Sequence, residues 1–144
     1  TVREEILAAR ERGVIFDIGH GMGSFGFATA EVMLESGFQP ECISSDVHVL
    51  SIDGPAHNQL VTLSKFLAMG MPLVDVIAAS TTGPADAIRR PELGTLKVGT
   101  PGDATVLRLA SGEFQFLDAE GQVREGDSQI VSEGMVIAGN WHDP

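Results

Sequence analysis

Cysteine is almost missing from this chain: Cys42 is the only one in 144 residues. A lone thiol excludes an internal disulfide framework, and its apolar setting reads as a small buried hydrophobe in a reducing compartment. Basic residues are also scarce, nine against 20 acidic ones, giving a formal net charge of −11. Arg89-Arg90 is only a pair, so the Lys/Arg patches that nucleic acids and anionic membranes reward are lacking. The acid excess reads as a solubility feature. No apolar run approaches the length of a membrane span, and the N-terminal residues carry no signal-peptide pattern. The expectation is a soluble, cytoplasmic protein with neither nucleic acid nor membrane as partner.

What is present suits a globular α/β protein: 43% hydrophobic residues and 17 glycines, in a chain long enough to bury a core. Val2, Ile6 and Ala9 repeat with helical spacing, and Gly13 is placed to end that helix. Thr1 and Glu4 match a capping box, and a chain opening directly on a helix cap is expected to come from something longer. Val14 to Ile18 reads as a strand buried on both faces. Gly19 to Gly23 then leads to Ser24 as N-cap, with Phe25, Ala28 and Val32 on one helix face and Gly37 as its end. Cys42 to Val47 is the next strand, completing the strand–helix–strand unit of parallel sheets.

Leu60, Leu63 and Leu67 mark another amphipathic helix that stops at Gly70. Pro72 and Pro84 each suit a first helical position, giving short helices over Leu73 to Ser80 and Ala85 to Arg89. Beyond Gly94 the texture changes. Ala104 to Leu109 is a strand, and Phe114, Phe116, Val123, Ile130 and Val136 fall in short strands separated by turns at Glu120-Gly121 and Glu133-Gly134. The chain is therefore read as an α/β part, 1–91, and an all-β tail, 92–144.

Chemistry points to the carboxyl ends of the two strands, where α/β folds carry their sites. Ile43-Ser44-Ser45-Asp46-Val47-His48 ends in an acid and a histidine two positions apart, which a strand would project from one face. A carboxylate closing an apolar strand needs a metal, a cation or several hydrogen bonds; the plainer alternative is a turn aspartate. His20 lies between Gly19 and Gly21, which let the backbone pass close to a ligand; the plainer alternative is a histidine satisfied within its loop. Asp46 and His48 form at most a metal dyad, short of the three protein ligands zinc generally takes. Asp53 and His57 read as solvated loop residues, and His142 as irrelevant to a site. Gly19-His20-Gly21-Met22-Gly23 lacks the spacing of either nucleotide-binding fingerprint. Ser44-Ser45 has no Gly-x-Ser-x-Gly elbow, which argues against a serine hydrolase.

Taken in order, several segments resemble the C-terminal third of metal-dependent amidohydrolases, in the dihydroorotase-like amidohydrolase and deacetylase branch. They are Gly13 to Gly21, Ile43 to His48, Leu63-Ser64-Lys65-Phe66-Leu67-Ala68-Met69-Gly70-Met71-Pro72, Ser80 to Ala85, and Gly94 to Ala104. The resemblance implies the last two βα units of a (β/α)8 TIM-type barrel plus part of a small β-sandwich. It implies that Asp46 is the strand-eight aspartate, which ligates a metal and takes a proton from the attacking water. It implies that His20 lines the substrate pocket, that His48 touches substrate or orients the aspartate, and that a divalent metal, zinc by preference, draws most of its ligands from outside this chain. The family's His-x-His, its bridging lysine and its two middle-strand histidines have no counterpart here.

The expected partners are a small-molecule amide or acyl substrate, the N-terminal part of the same protein, and a second copy in a homo-oligomer. The expected reaction is hydrolysis of an amide, cyclic amide or acyl ester. Two rivals stand beside it: a non-catalytic fragment or small α/β binding module, and a ring deaminase of the same superfamily.

Overall fold

The computed structural model describes all 144 residues, Thr1–Pro144. Two strands, β1 (Asp17–Gly19) and β2 (Cys42–Ser44), pair in parallel with Ile18 opposite Ile43, and α2 (Phe27–Glu35) joins them. Helix α1 (Glu4–Glu11) precedes this unit, while α3 (Gln59–Ala68), α4 (Leu73–Ala78) and α5 (Thr82–Ala87) follow it. A 3-10 turn, Pro91–Gly94, leads to an antiparallel sheet of β3 (Ala104–Leu117), β4 (Val123–Ile137) and β5 (Asn140–His142) in that order.

The strand–helix–strand unit is where the sequence pattern puts it, but the strands are shorter. Val14 and Ile15 precede β1 and are about half exposed, because β2 is the only strand that pairs with β1. Strand β2 ends at Ser44, and Asp46 takes a left-handed φ of 48°. The alternation of a strand therefore does not govern Asp46 and His48.

Helix ends differ for physical reasons. Arg3, not Thr1, is the N-cap of α1, and no side chain caps it. Ser24 does not cap α2, which starts from Gly26; the Asp118 carboxylate accepts the Phe27 N–H at 2.8 Å instead. Because α2 starts later, Phe27, Ala30 and Leu34 face the core, and Ala28 and Val32 are exposed. Helix α3 matches its pattern, with Asn58 as cap accepting the Val61 N–H at 3.0 Å. Pro84 falls in the first turn of α5 rather than at its first residue, where its missing N–H is still tolerated.

In the tail, the short strands merge into two long ones. The turn at Glu120-Gly121 lies between β3 and β4, but Glu133-Gly134 lies within β4. There the register slips, Val106 facing Gly134 and Leu107 facing Ser132, so Glu133 is the extra residue of a β-bulge. The second hairpin turn is Ala138-Gly139, both at positive φ, as a two-residue turn of right-twisted strands requires.

One core serves both halves. Phe25, Phe27, Ile43, Leu63, Phe66 and Val76 from the α/β part are buried with Phe116 and Ile130 of the β3–β4 hairpin. The Ile130 N–H donates to the Ser64 hydroxyl at 2.9 Å, fixing the hairpin on α3.

Candidate functional site

The carboxyl ends of β1 and β2 meet through their following turns. The Gly21 N–H donates to the Ser45 carbonyl at 3.0 Å. Gly21 has φ 51°, and a Cβ placed there would lie 2.7 Å from Asp46 Oδ2. The two turns thus pass so closely that only glycine leaves the carboxylate its place. Asp46 is exposed and takes part in none of the chain's four ion pairs.

His20 is fully buried, stacked on Phe25 with ring centroids 4.7 Å apart. Its Nδ1 lies 3.0 Å from the Gly21 carbonyl oxygen and its Nε2 lies 2.6 Å from Nζ of Lys65. Burial holds its pKa below the usual histidine value; the Lys65 ammonium lowers it further, and the Gly21 carbonyl opposes both. His48 is exposed. Its Nδ1 accepts the Leu50 N–H at 3.2 Å, and its own N–H donates to the Ser51 hydroxyl at 3.0 Å. The sequence-derived trio is therefore spread over three settings: Asp46 exposed against Gly21, His20 buried against Lys65, and His48 in the exposed loop after β2. Asp53 and His57 are exposed in that same loop, and His142 is exposed on β5.

Lys65 is the group that pattern reading passed over. It is fully buried, and burial lowers its pKa to about 8. The signal was present: Lys65 is the only charged residue between Asn58 and Met71, so this helix has no charged face to keep in solvent. Cys42 is buried as expected, and burial raises its thiol pKa, with the charges of Asp17 and Glu41 adding to it.

No three His, Cys, Asp or Glu side chains of this chain come together as a metal site. Asp46 brings an exposed carboxylate to the turn just past β2. Asp46 would give a divalent metal one oxygen, and the chain by itself brings together no complete ligand set.

A mixed α/β chain with a carboxylate at the end of a parallel strand is a common enzyme design, and comparisons with known proteins narrow the class. No family model matches the chain. A deacetylase of Enterococcus faecalis is 32% identical over 136 residues, 94% of this chain and 37% of the relative. The crystal structure of an adenine deaminase superposes with a TM-score of 0.96 at 30% identity, covering 100% of this chain and 39% of that one. A dihydroorotase crystal structure gives a TM-score of 0.88 at 33% identity, over 98% of this chain and 40% of that one. The chain belongs to the amidohydrolase superfamily. It spans little more than a third of the length of the deacetylase it matches.

Proposed function

We propose that the protein to which this chain belongs is a metal-dependent hydrolase of an amide, cyclic amide or acyl ester, with Asp46 as metal ligand and general base. In this reading residues 1–91 are the last two βα units of a (β/α)8 barrel and 92–144 part of a β-sandwich. The observation that carries it is the Asp46 carboxylate, exposed at the end of β2 and held against Gly21. A divalent metal, zinc by preference, acidifies a water to a pKa near 7 and polarises the substrate carbonyl when bound. Asp46 would give it one oxygen and use the carboxylate to receive the proton of the attacking water. His48, exposed two residues after Asp46, is the group for substrate contact. His20 stands as a further substrate residue in the assembled barrel; within this chain its ring is covered and its nitrogens are engaged.

The likeness to an adenine deaminase supports a second reading, hydrolytic deamination of a ring amidine. The same proton acceptor serves both reactions, and the leaving group distinguishes them. The test is the purified full-length protein, assayed for bound metal and for hydrolysis of N-acetyl amino acids, dihydroorotate and adenine. Stoichiometric divalent metal with acetate release supports the first reading, and ammonia release supports the second. A metal-free protein inactive on all three contradicts both.

A further inference from the structure

Lys65 is buried by three segments that the sequence keeps far apart. Its Nζ lies 2.6 Å from His20 Nε2 in the turn after β1, 2.7 Å from the Pro55 carbonyl oxygen in the loop after His48, and 2.7 Å from the Leu117 carbonyl oxygen at the end of β3. An ammonium has three N–H donors and no acceptor, so three acceptors match it fully. The match sets the histidine as well. With Nε2 accepting from Lys65, the remaining ring proton sits on Nδ1 and donates to the Gly21 carbonyl, 3.0 Å away. A neutral amine would leave one of the three acceptors without a donor.

We propose that Lys65 is a positioning residue for the chemistry of Asp46, its ammonium clamping the Gly19–Gly21 turn, the loop after His48 and the end of β3 into one arrangement. The route from Lys65 to the carboxylate is short. Lys65 holds His20, His20 holds the Gly21 carbonyl, Gly21 donates to Ser45, and Gly21 also bounds the space of Asp46 Oδ2. A second arm runs through Pro55 into the loop where the His57 N–H donates to the Ser51 carbonyl and the His48 N–H donates to the Ser51 hydroxyl. Through Leu117 the same ammonium ties the β-tail to that edge. Lys65 touches no reacting atom; it acts through the turns that carry Asp46 and His48. The inference rests on the reading of Asp46 as the metal-binding base.

The test uses the full-length, metal-loaded protein. In Lys65→Met, which keeps length and apolar bulk, kcat is expected to fall by about 10- to 100-fold, the scale of a misplaced catalytic group. KM is expected to change by much less than kcat and metal stoichiometry to stay within about twofold, a split that general loosening of the fold would not give. A folded Lys65→Met protein with kcat within about twofold of wild type overturns the positioning role. The 15N shifts of His20 in the wild-type protein supply a check independent of any variant and of turnover: hydrogen on Nδ1 supports the clamp, and hydrogen on Nε2 overturns it. If Lys65→Met does not fold, the tautomer decides. A wild-type protein without hydrolytic activity overturns the functional reading and the positioning role together, whereas an active wild type with an unaffected variant overturns the positioning role alone.

Discussion

Asp118 Oδ2 accepts the backbone N–H of Phe27 at 2.8 Å, across 91 residues of sequence. Phe27 opens α2, and Asp118 lies in the turn between β3 and β4. Through its other oxygen the carboxylate accepts the N–H groups of Glu120 at 2.9 Å and Gln122 at 2.7 Å. One nearly buried acid therefore caps a helix, shapes a hairpin turn and joins the two. A negative charge at a helix N-terminus also meets the positive end of the helix dipole.

Replacement Asp118→Ala should destabilise the protein by about 3 kcal/mol, the scale of lost hydrogen bonds to a charged group. Burial raises the Asp118 pKa, but the N–H groups of Phe27, Gln122 and Glu120 and the Lys65 ammonium together hold it below the usual carboxylate range. A lowered acid stabilises the fold above its unfolded pKa, about 4, and that contribution is lost as pH falls through the folded value. Urea titrations from pH 5 downward should show a steeper loss in wild type than in Asp118→Ala. Equal slopes would contradict this role.

The pair Lys65 and His20 sets a pH dependence of the same sign at higher pH, although here it is the charged forms that burial disfavours. Burial lowers both, Lys65 from 10.5 to about 8 and His20 below 6.5. For a basic group lowered on folding, the unfolded chain holds more protons, so stability rises with pH between the two pKa values. His20 thus destabilises the fold as pH falls below about 6.5, and Lys65 adds stability between about 8 and 10.5. Cys42, raised above its ordinary value of 9.0 by burial, opposes this at alkaline pH. The stability of wild type relative to Lys65→Met should therefore rise from pH 8 to 10; a falling difference would contradict the assignment.

Helix α5 approaches β2 where no side chain fits. A Cβ on Gly83 would lie 2.0 Å from the Glu41 carbonyl oxygen and 3.2 Å from that of Ala78. Both neighbours are backbone, so they cannot rotate away. Gly83→Ala should lower stability by about 1–3 kcal/mol, the range for overpacked sites. A melting temperature equal to wild type would show that α5 is not held against Glu41.

Much of this arrangement was legible before any coordinates. Local periodicity and glycine placement located α1, the β1–α2–β2 unit and α3, because those signals act within a few residues. What stayed hidden depended on distant partners. Ser24 is a sound cap by type, yet a carboxylate from residue 118 takes that place. Glu133-Gly134 has turn composition, yet Gly134 gives room to the Trp141 ring, which a Cβ would meet at 2.1 Å. Asp46 reads as a strand-end acid, yet its geometry comes from a left-handed turn after the strand ends. His20 reads from its glycine neighbours either as close to a ligand or as satisfied within its loop; its buried partner, Lys65, is 45 residues away and unreadable from spacing.

The central claim is that Asp46 is the proton acceptor and a metal ligand, and Asp46→Asn in the full-length protein tests it most directly. The side chain is exposed and outside the ion pairs of this chain, so the folded state should survive the substitution with an unchanged melting temperature. An amide does not accept the proton, and loss of a general base costs about 10²- to 10⁴-fold in rate. The measurement is kcat of the metal-reconstituted variant beside wild type, with metal content determined on the same samples. A fall of at least about 100-fold in a folded protein is the predicted result; a variant keeping more than about a tenth of the wild-type rate would contradict the claim.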